Sequence, residues 1–196
     1  MFKNRWALVL LTGALYWSVY AASARLGDLA SARYRLYFEW ERGIPLVPAA
    51  ALVYLSVALM LFPLLRALPT AHQLRPVAVT LICQSLVAAL CFWLLPLEDG
   101  FPHSGPAAGW DGWVWNLSND LALRHNYFPS LHVTLAVSAA LVLSRARGAT
   151  HWPMVWWAAA ISLSTLLVHQ HHLIDIAGGL LLALAGVRLI YDRLAA

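Results

Sequence analysis

Residues 128–175 read FPSLHVTLAVSAALVLSRARGATHWPMVWWAAAISLSTLLVHQHHLID. Two apolar runs, 128–144 and 152–168, flank a short basic turn from Arg145 to His151, and neither run contains Lys, Arg, Asp or Glu. About 20 mostly apolar residues cross a bilayer. The stretch therefore reads as a hairpin of two membrane helices, one descending and one returning. Such a hairpin brings its two polar ends back to one membrane face. His132 and His171, far apart in sequence, should meet there.

The rest of the chain repeats the pattern. Hydrophobic residues make up 61% of the 196, and charged residues 11%. Soluble domains carry about 25% charge. A disordered chain cannot be this apolar, and 13 Lys+Arg against 9 Asp+Glu give no nucleic-acid footprint. Further apolar segments run from Trp6 to Ala22, Ile44 to Leu65, Pro76 to Leu95 and Ile174 to Tyr191. Pro45 and Pro48 fall in the first turn of the second, where proline is tolerated. The expected fold is all-α: a polytopic membrane helix bundle with six transmembrane helices, forming one integral membrane domain over residues 1–196.

Lys and Arg set the orientation. With the N-terminus inside, Lys3, Arg5, Arg66, Arg75, Arg145, Arg147, Arg188 and Arg193 face the cytoplasm. Arg25, Arg33, Arg35, Arg42 and Arg124 face out. The run after Lys3 and Arg5, ending in Ala22-Ser23-Ala24, also reads as a signal peptide; residue 25 onward starts outside on either reading. Residues 29–40 and 98–124 are rich in aromatic rings and suit the headgroup zone, as anchors or as a lid over a lipid site. Cys83 and Cys91 are too far apart along one helix to form a disulfide.

The informative residues are polar and lie at span ends: 124–132 (RHNYFPSLH) and 169–175 (HQHHLID). His171 and Asp175 are spaced i, i+4, so on a helix they share a face. A carboxylate there fixes the imidazole tautomer and makes the other ring nitrogen the better nucleophile. Ionisable groups at membrane depth point to function. His169, His171 and His172 form one clustered histidine box. Di-iron oxidases need several such boxes, so no metal or other cofactor is expected. Ser130 lacks the Gly-x-Ser-x-Gly turn of a hydrolase nucleophile. Phosphoryl transfer through histidine suits the arrangement better.

Pro129-Ser130-Leu131-His132, with Ser164-Thr165, five residues, His171, three residues and Asp175, resembles the second and third motifs of the type 2 phosphatidic acid phosphatase superfamily of membrane proteins. The leucine in the second motif and the stretch Glu41-Arg42-Gly43-Ile44-Pro45-Leu46-Val47-Pro48 resemble its inositol-phosphorylceramide synthase-like branch. The resemblance implies a lipid phosphatase or phosphotransferase acting through a phosphohistidine. On that basis His171 is the nucleophile, Asp175 its orienting carboxylate and His132 the acid for the leaving oxygen. Ser130 contacts the phosphate.

Two cations of the family pattern are absent. The stretch Pro96 to Pro106 offers only His103, and Thr165 stands where the third motif has arginine. Phosphoryl transfer depends on electrostatic stabilisation, so other groups should substitute: Arg124, Arg42, His125 and His169, in that order. The expected partner is a lipid phosphate or phospholipid in the membrane. The expected location is a bacterial inner membrane, with the site on the outer face. The alternative is a non-catalytic membrane protein of the same fold that binds a lipid headgroup or partner.

Overall fold

The computed structural model describes residues 4–102, 108–123 and 125–196. Among these the chain is helical, with no strands and only one isolated bridge, Tyr34 to Leu97. Seven helices organise it: α1 Arg5–Asp28, α2 Pro48–Ala67, α3 Ala71–Leu94, α4 Gly109–Leu121, α5 Leu131–Arg147, α6 Trp152–Leu167 and α7 Leu173–Ala195. Four of them, α1, α2, α3 and α7, are long and apolar enough to cross a membrane.

The helix ends differ from the hydropathy reading for local reasons. α1 runs on to Asp28, unbroken through Ala22-Ser23-Ala24, and packs along α3. α2 starts at Pro48 and not at Ile44. A residue before proline is held out of the helical region, and the non-helical Val47 gives its N–H to the Leu167 carbonyl at 2.9 Å. α3 starts at Ala71, five residues before Pro76. Thr70 and Gln73 form a capping box that begins the helix earlier, and Pro76 is carried inside it. α5 starts at Leu131, not Phe128, because Ser130 caps it behind Pro129. Gly148, with φ +67°, ends α5 in the left-handed conformation that terminates helices. α6 stops at Leu167, and α7 begins at Leu173 and extends to Ala195.

α5 is the central helix. It packs on α2, α3, α6 and α7. Its buried Ala136, Ala139 and Ala140 let backbones approach closely, which suits packing in an apolar solvent. Leu64, Leu74, Val77 and Ile161 close the core around it. Gln84 of α3, buried at depth, donates to Ser138 Oγ of α5 at 2.9 Å and to the Leu182 carbonyl of α7 at 3.2 Å. That network ties three helices together. α5 and α6 have 17 and 16 residues, roughly 25 Å each. This is shorter than the ~30 Å hydrocarbon layer.

The two aromatic connections fold differently. Within 98–124, α4 exposes Trp110 and Trp113 while Trp115 is buried and donates its Nε1–H to the Val168 carbonyl at 3.1 Å. In 29–40, Tyr34, Phe38 and Trp40 are exposed, whereas Tyr37 turns inward onto His172.

Candidate active site

The N-terminal ends of α5 and α7 meet. Ser130 donates its backbone N–H to the Asp175 carbonyl at 3.0 Å, and Thr134 Oγ1 donates to the Gly179 carbonyl at 3.2 Å. Two adjacent glycines of α7 permit the approach. The Phe128 ring lies where a Cβ on Gly178 would sit, and the Ser130 carbonyl where one on Gly179 would sit. The two sequence motifs are thus joined through backbone before any side chain is considered.

His171 precedes α7 and is held by its backbone. Its N–H, and that of Gln170, donate to the Thr165 carbonyl at 3.1 and 3.0 Å. Its Nδ1 stands 3.4 Å from Asp175 Oδ2, with both side chains buried. The same Asp175 oxygen accepts the His172 backbone N–H at 3.0 Å. The expected i, i+4 pair therefore forms around the start of α7. His132 faces it across the helix interface: the two imidazole centroids are 6.4 Å apart. The His132 ring is stacked on Tyr54 of α2 at 4.1 Å. Ser130 is fully buried, and its Oγ caps α5 by accepting the Val133 N–H at 3.4 Å.

Among the expected substitutes for the missing cations, those within the described residues have other partners. Arg124 and His103 lie outside the described residues. Arg42 is exposed and pairs with Glu39 at 3.4 Å. His125 sits against the end of α1, its Nε2 3.1 Å from Asp28 and 3.3 Å from Arg33. His169 Nε2 reaches the Ile44 carbonyl at 2.9 Å, and its ring stacks on Phe101 at 4.2 Å. Burial lowers the His169 pKa from its ordinary value, which favours the neutral ring. Thr165 is buried, its hydroxyl spent on the Ser162 carbonyl at 2.8 Å.

The lowered His169 pKa has a stability consequence. Below about pH 6.5 the unfolded chain takes up this proton more readily than the folded one. Folded stability should therefore fall as pH drops through that value. In a His169→Asn variant, which tolerates the left-handed φ of +61°, the unfolding midpoint should fall less steeply below pH 6.5. Titrating that midpoint in detergent checks it.

Two further residues, to which the sequence assigns no separate role at the site, are buried here. Glu41, in the turn Glu39–Gly43, is fully buried, and its carboxylate lies 3.1 Å from His172 Nδ1. His172 itself is buried between the rings of Tyr37 and Phe101. The available signal was an acid placed just before the proline-bounded start of α2. Arg33, Arg35, Glu39 and Arg42 stand around it in the chain, and nothing in that charged segment marks one acid for burial.

Beside His132 lies a cavity of about 420 Å³, lined by Tyr16, Tyr20, Tyr54, Leu121, Leu131 and Leu135 among others. A second cavity of about 200 Å³ continues toward Leu8 and Val9. Gly13, Tyr16, Leu61 and Leu135 line both, so one apolar groove follows α1 from Tyr20 to Leu8, roughly 18 Å.

A family model described as the PAP2 superfamily matches residues 47–195. No curated protein and no solved structure matches the chain.

Proposed function

Since the chain belongs to the PAP2 superfamily, whose members are usually phosphatases, we propose that it is a membrane-embedded phosphatase or phosphotransferase acting on a lipid phosphate or phospho-headgroup. The observation that carries this reading is the opposition of His132 to the buried His171–Asp175 pair. The gap between the rings is on the scale of a phosphoryl group in reach of both, given reacting atoms about 3–3.5 Å apart.

In the proposed reaction His171 attacks phosphorus. The P–N bond forms as the bond to the lipid oxygen breaks, and His132 supplies the proton to that oxygen. Asp175 accepts from Nδ1 and stabilises the charge that develops on His171. Water or an alcohol then attacks phosphorus, giving its proton back to His132 and freeing His171. The convergent N-termini of α5 and α7 present the positive ends of two helix dipoles. They supply part of the field that the absent arginines would give. Ser130 lies at one of these ends, and Arg124 remains the proposed side-chain cation.

The apolar groove ending on His132 supports a lipid substrate, its chain along α1 and its phosphate at the histidines. The short α5–α6 hairpin supports a site sunk below the membrane surface and reached sideways. The reading also takes α5 and α6 as spanning, six crossings in all in one domain. It places the site on the outer face of a bacterial inner membrane, and Leu131 in the second motif favours the inositol-phosphorylceramide synthase-like branch. The missing arginines favour the second reading, a binding protein without turnover.

Phosphate release from a panel of lipid phosphates in detergent, with and without an added lipid alcohol or polyol, distinguishes hydrolysis from transfer; no turnover of any member would leave the binding protein. A Cβ added at Gly13 would meet nothing within 4 Å, and this residue borders both cavities. Gly13→Leu should fill the groove, raising KM for a long-chain lipid phosphate about tenfold while affecting a short-chain soluble phosphate much less. Equal effects on both substrates would remove the groove from the reading.

A further inference from the structure

Glu41 is fully buried, and both of its carboxylate oxygens are occupied. Oε1 accepts the Phe38 backbone N–H at 2.9 Å. Oε2 accepts the Leu173 backbone N–H at 2.9 Å and lies 3.1 Å from His172 Nδ1. Leu173 is the first residue of α7, and His172 is its N-cap. The first N–H groups of a helix lack internal partners, and the dipole there favours an anion. Glu41 is therefore a cap for α7 brought in from a distant part of the chain.

The contacts continue inward. The His172 N–H donates to Asp175 Oδ2, and that oxygen stands 3.4 Å from His171 Nδ1. One helical turn thus separates Glu41 from the catalytic pair. The His172 ring is clamped as well. It lies between Tyr37 at 4.6 Å and Phe101 at 4.1 Å, and Phe101 in turn stacks on His169 at 4.2 Å. The ring column sets the plane of His172, and Glu41 sets its rotation and the first turn of the helix.

We propose that Glu41 is a positioning residue for His171: by fixing the first turn of α7 it holds Asp175 on His171 Nδ1. The proposal rests on the reading of His171 as nucleophile. Glu41 touches no reacting atom. Its effect runs through the His172 N–H, which donates to Asp175 Oδ2, the oxygen 3.4 Å from His171 Nδ1. If the turn loosens, that N–H withdraws, Asp175 rotates, and the His171 tautomer is no longer fixed.

Glu41→Gln tests it. The amide keeps the size of the carboxylate but turns an N–H2 toward one of three N–H donors. A second variant, His172→Phe, keeps the ring column and removes the Nδ1 contact. The measurements are kcat and KM on a lipid phosphate, the unfolding midpoint, and ¹⁵N NMR of the His171 ring in histidine-labelled full-length protein in detergent. Glu41→Gln should lower kcat about tenfold to 100-fold, leave KM within about twofold, and shift the His171 Nδ1 resonance. His172→Phe should change the same quantities in the same direction. A variant with a lowered midpoint but unchanged His171 resonances and wild-type kcat would make Glu41 merely structural and overturn the proposal. If Glu41→Gln does not fold, His172→Phe decides by the same criteria. If the wild-type protein turns over no lipid phosphate, the reaction is refuted, while the His171 resonances still decide whether Glu41 positions the ring.

Discussion

Replacing His171 with alanine should lower turnover of a lipid phosphate by about 10³-fold or more, the loss that the proposed role of His171 as covalent nucleophile requires. Substrate binding should survive, because the groove along α1 and the helix termini are untouched. Radiolabel from a phosphorylated lipid should be trapped on the wild-type protein and absent from His171→Ala. Asp175→Asn belongs to the same experiment. Asparagine keeps the shape but replaces the carboxylate that accepts the His172 N–H at 3.0 Å and stands 3.4 Å from His171 Nδ1. The tautomer is then no longer enforced, and losses of about 10⁴-fold accompany that change in hydrolases with a histidine base. Wild-type rates in either variant, measured against well-folded protein, would end the assignment of this pair.

Gly179→Ala should have the second-largest effect, through packing alone. Its Cβ would lie 2.5 Å from the Ser130 carbonyl oxygen and 2.9 Å from Val133 Cβ. A backbone oxygen cannot swing away as a flexible side chain can. The N-terminal turn of α5 must therefore move off α7, stretching the Ser130–Asp175 backbone bond and the Thr134–Gly179 contact. Overpacking of this kind costs about 1–3 kcal/mol. His132 moves with that turn, away from His171. A displacement near 1 Å at reacting groups costs about 100-fold, so kcat should fall by that order together with the unfolding midpoint. Gly13→Ala, with open space at its Cβ, should not lower the midpoint. Equal midpoints for the two alanine variants would show that α5 and α7 are not in tight contact at Gly179.

Much of this was legible in the residues. Hydropathy and the basic turn at Arg145 predict the hairpin that returns His171 to His132, because apolar runs of this length have few other ways to satisfy their backbone groups. The i, i+4 spacing of His171 and Asp175 is local geometry, and it survives folding. Helix ends were less legible. Hydropathy could not see that Thr70 and Gln73 start α3 before Pro76, or that Ser130 delays α5, since caps are hydrogen-bonding choices with almost no hydropathy signal.

Burial of polar groups by distant segments was not legible at all. Glu41 and Arg42 are adjacent charged residues of opposite sign in one polar stretch. One is fully buried under α7, and the other is exposed on Glu39. His125 and His169 each read as a spare cation. The structure ties one to Asp28 and Arg33, and leaves the other, its pKa lowered, on the Ile44 carbonyl.

Local pattern alone specifies an all-helical, apolar chain with two polar clusters returned to one end, because helix length, hydropathy and short-range spacing are properties of neighbouring residues. Which polar groups lie against which is set by how the helices pack. The Glu41 cap on α7, the column from Tyr37 to His169 and the groove that ends on His132 each join segments far apart in the chain. Their energies depend on burial and on partner geometry, which exist only once the helices have packed.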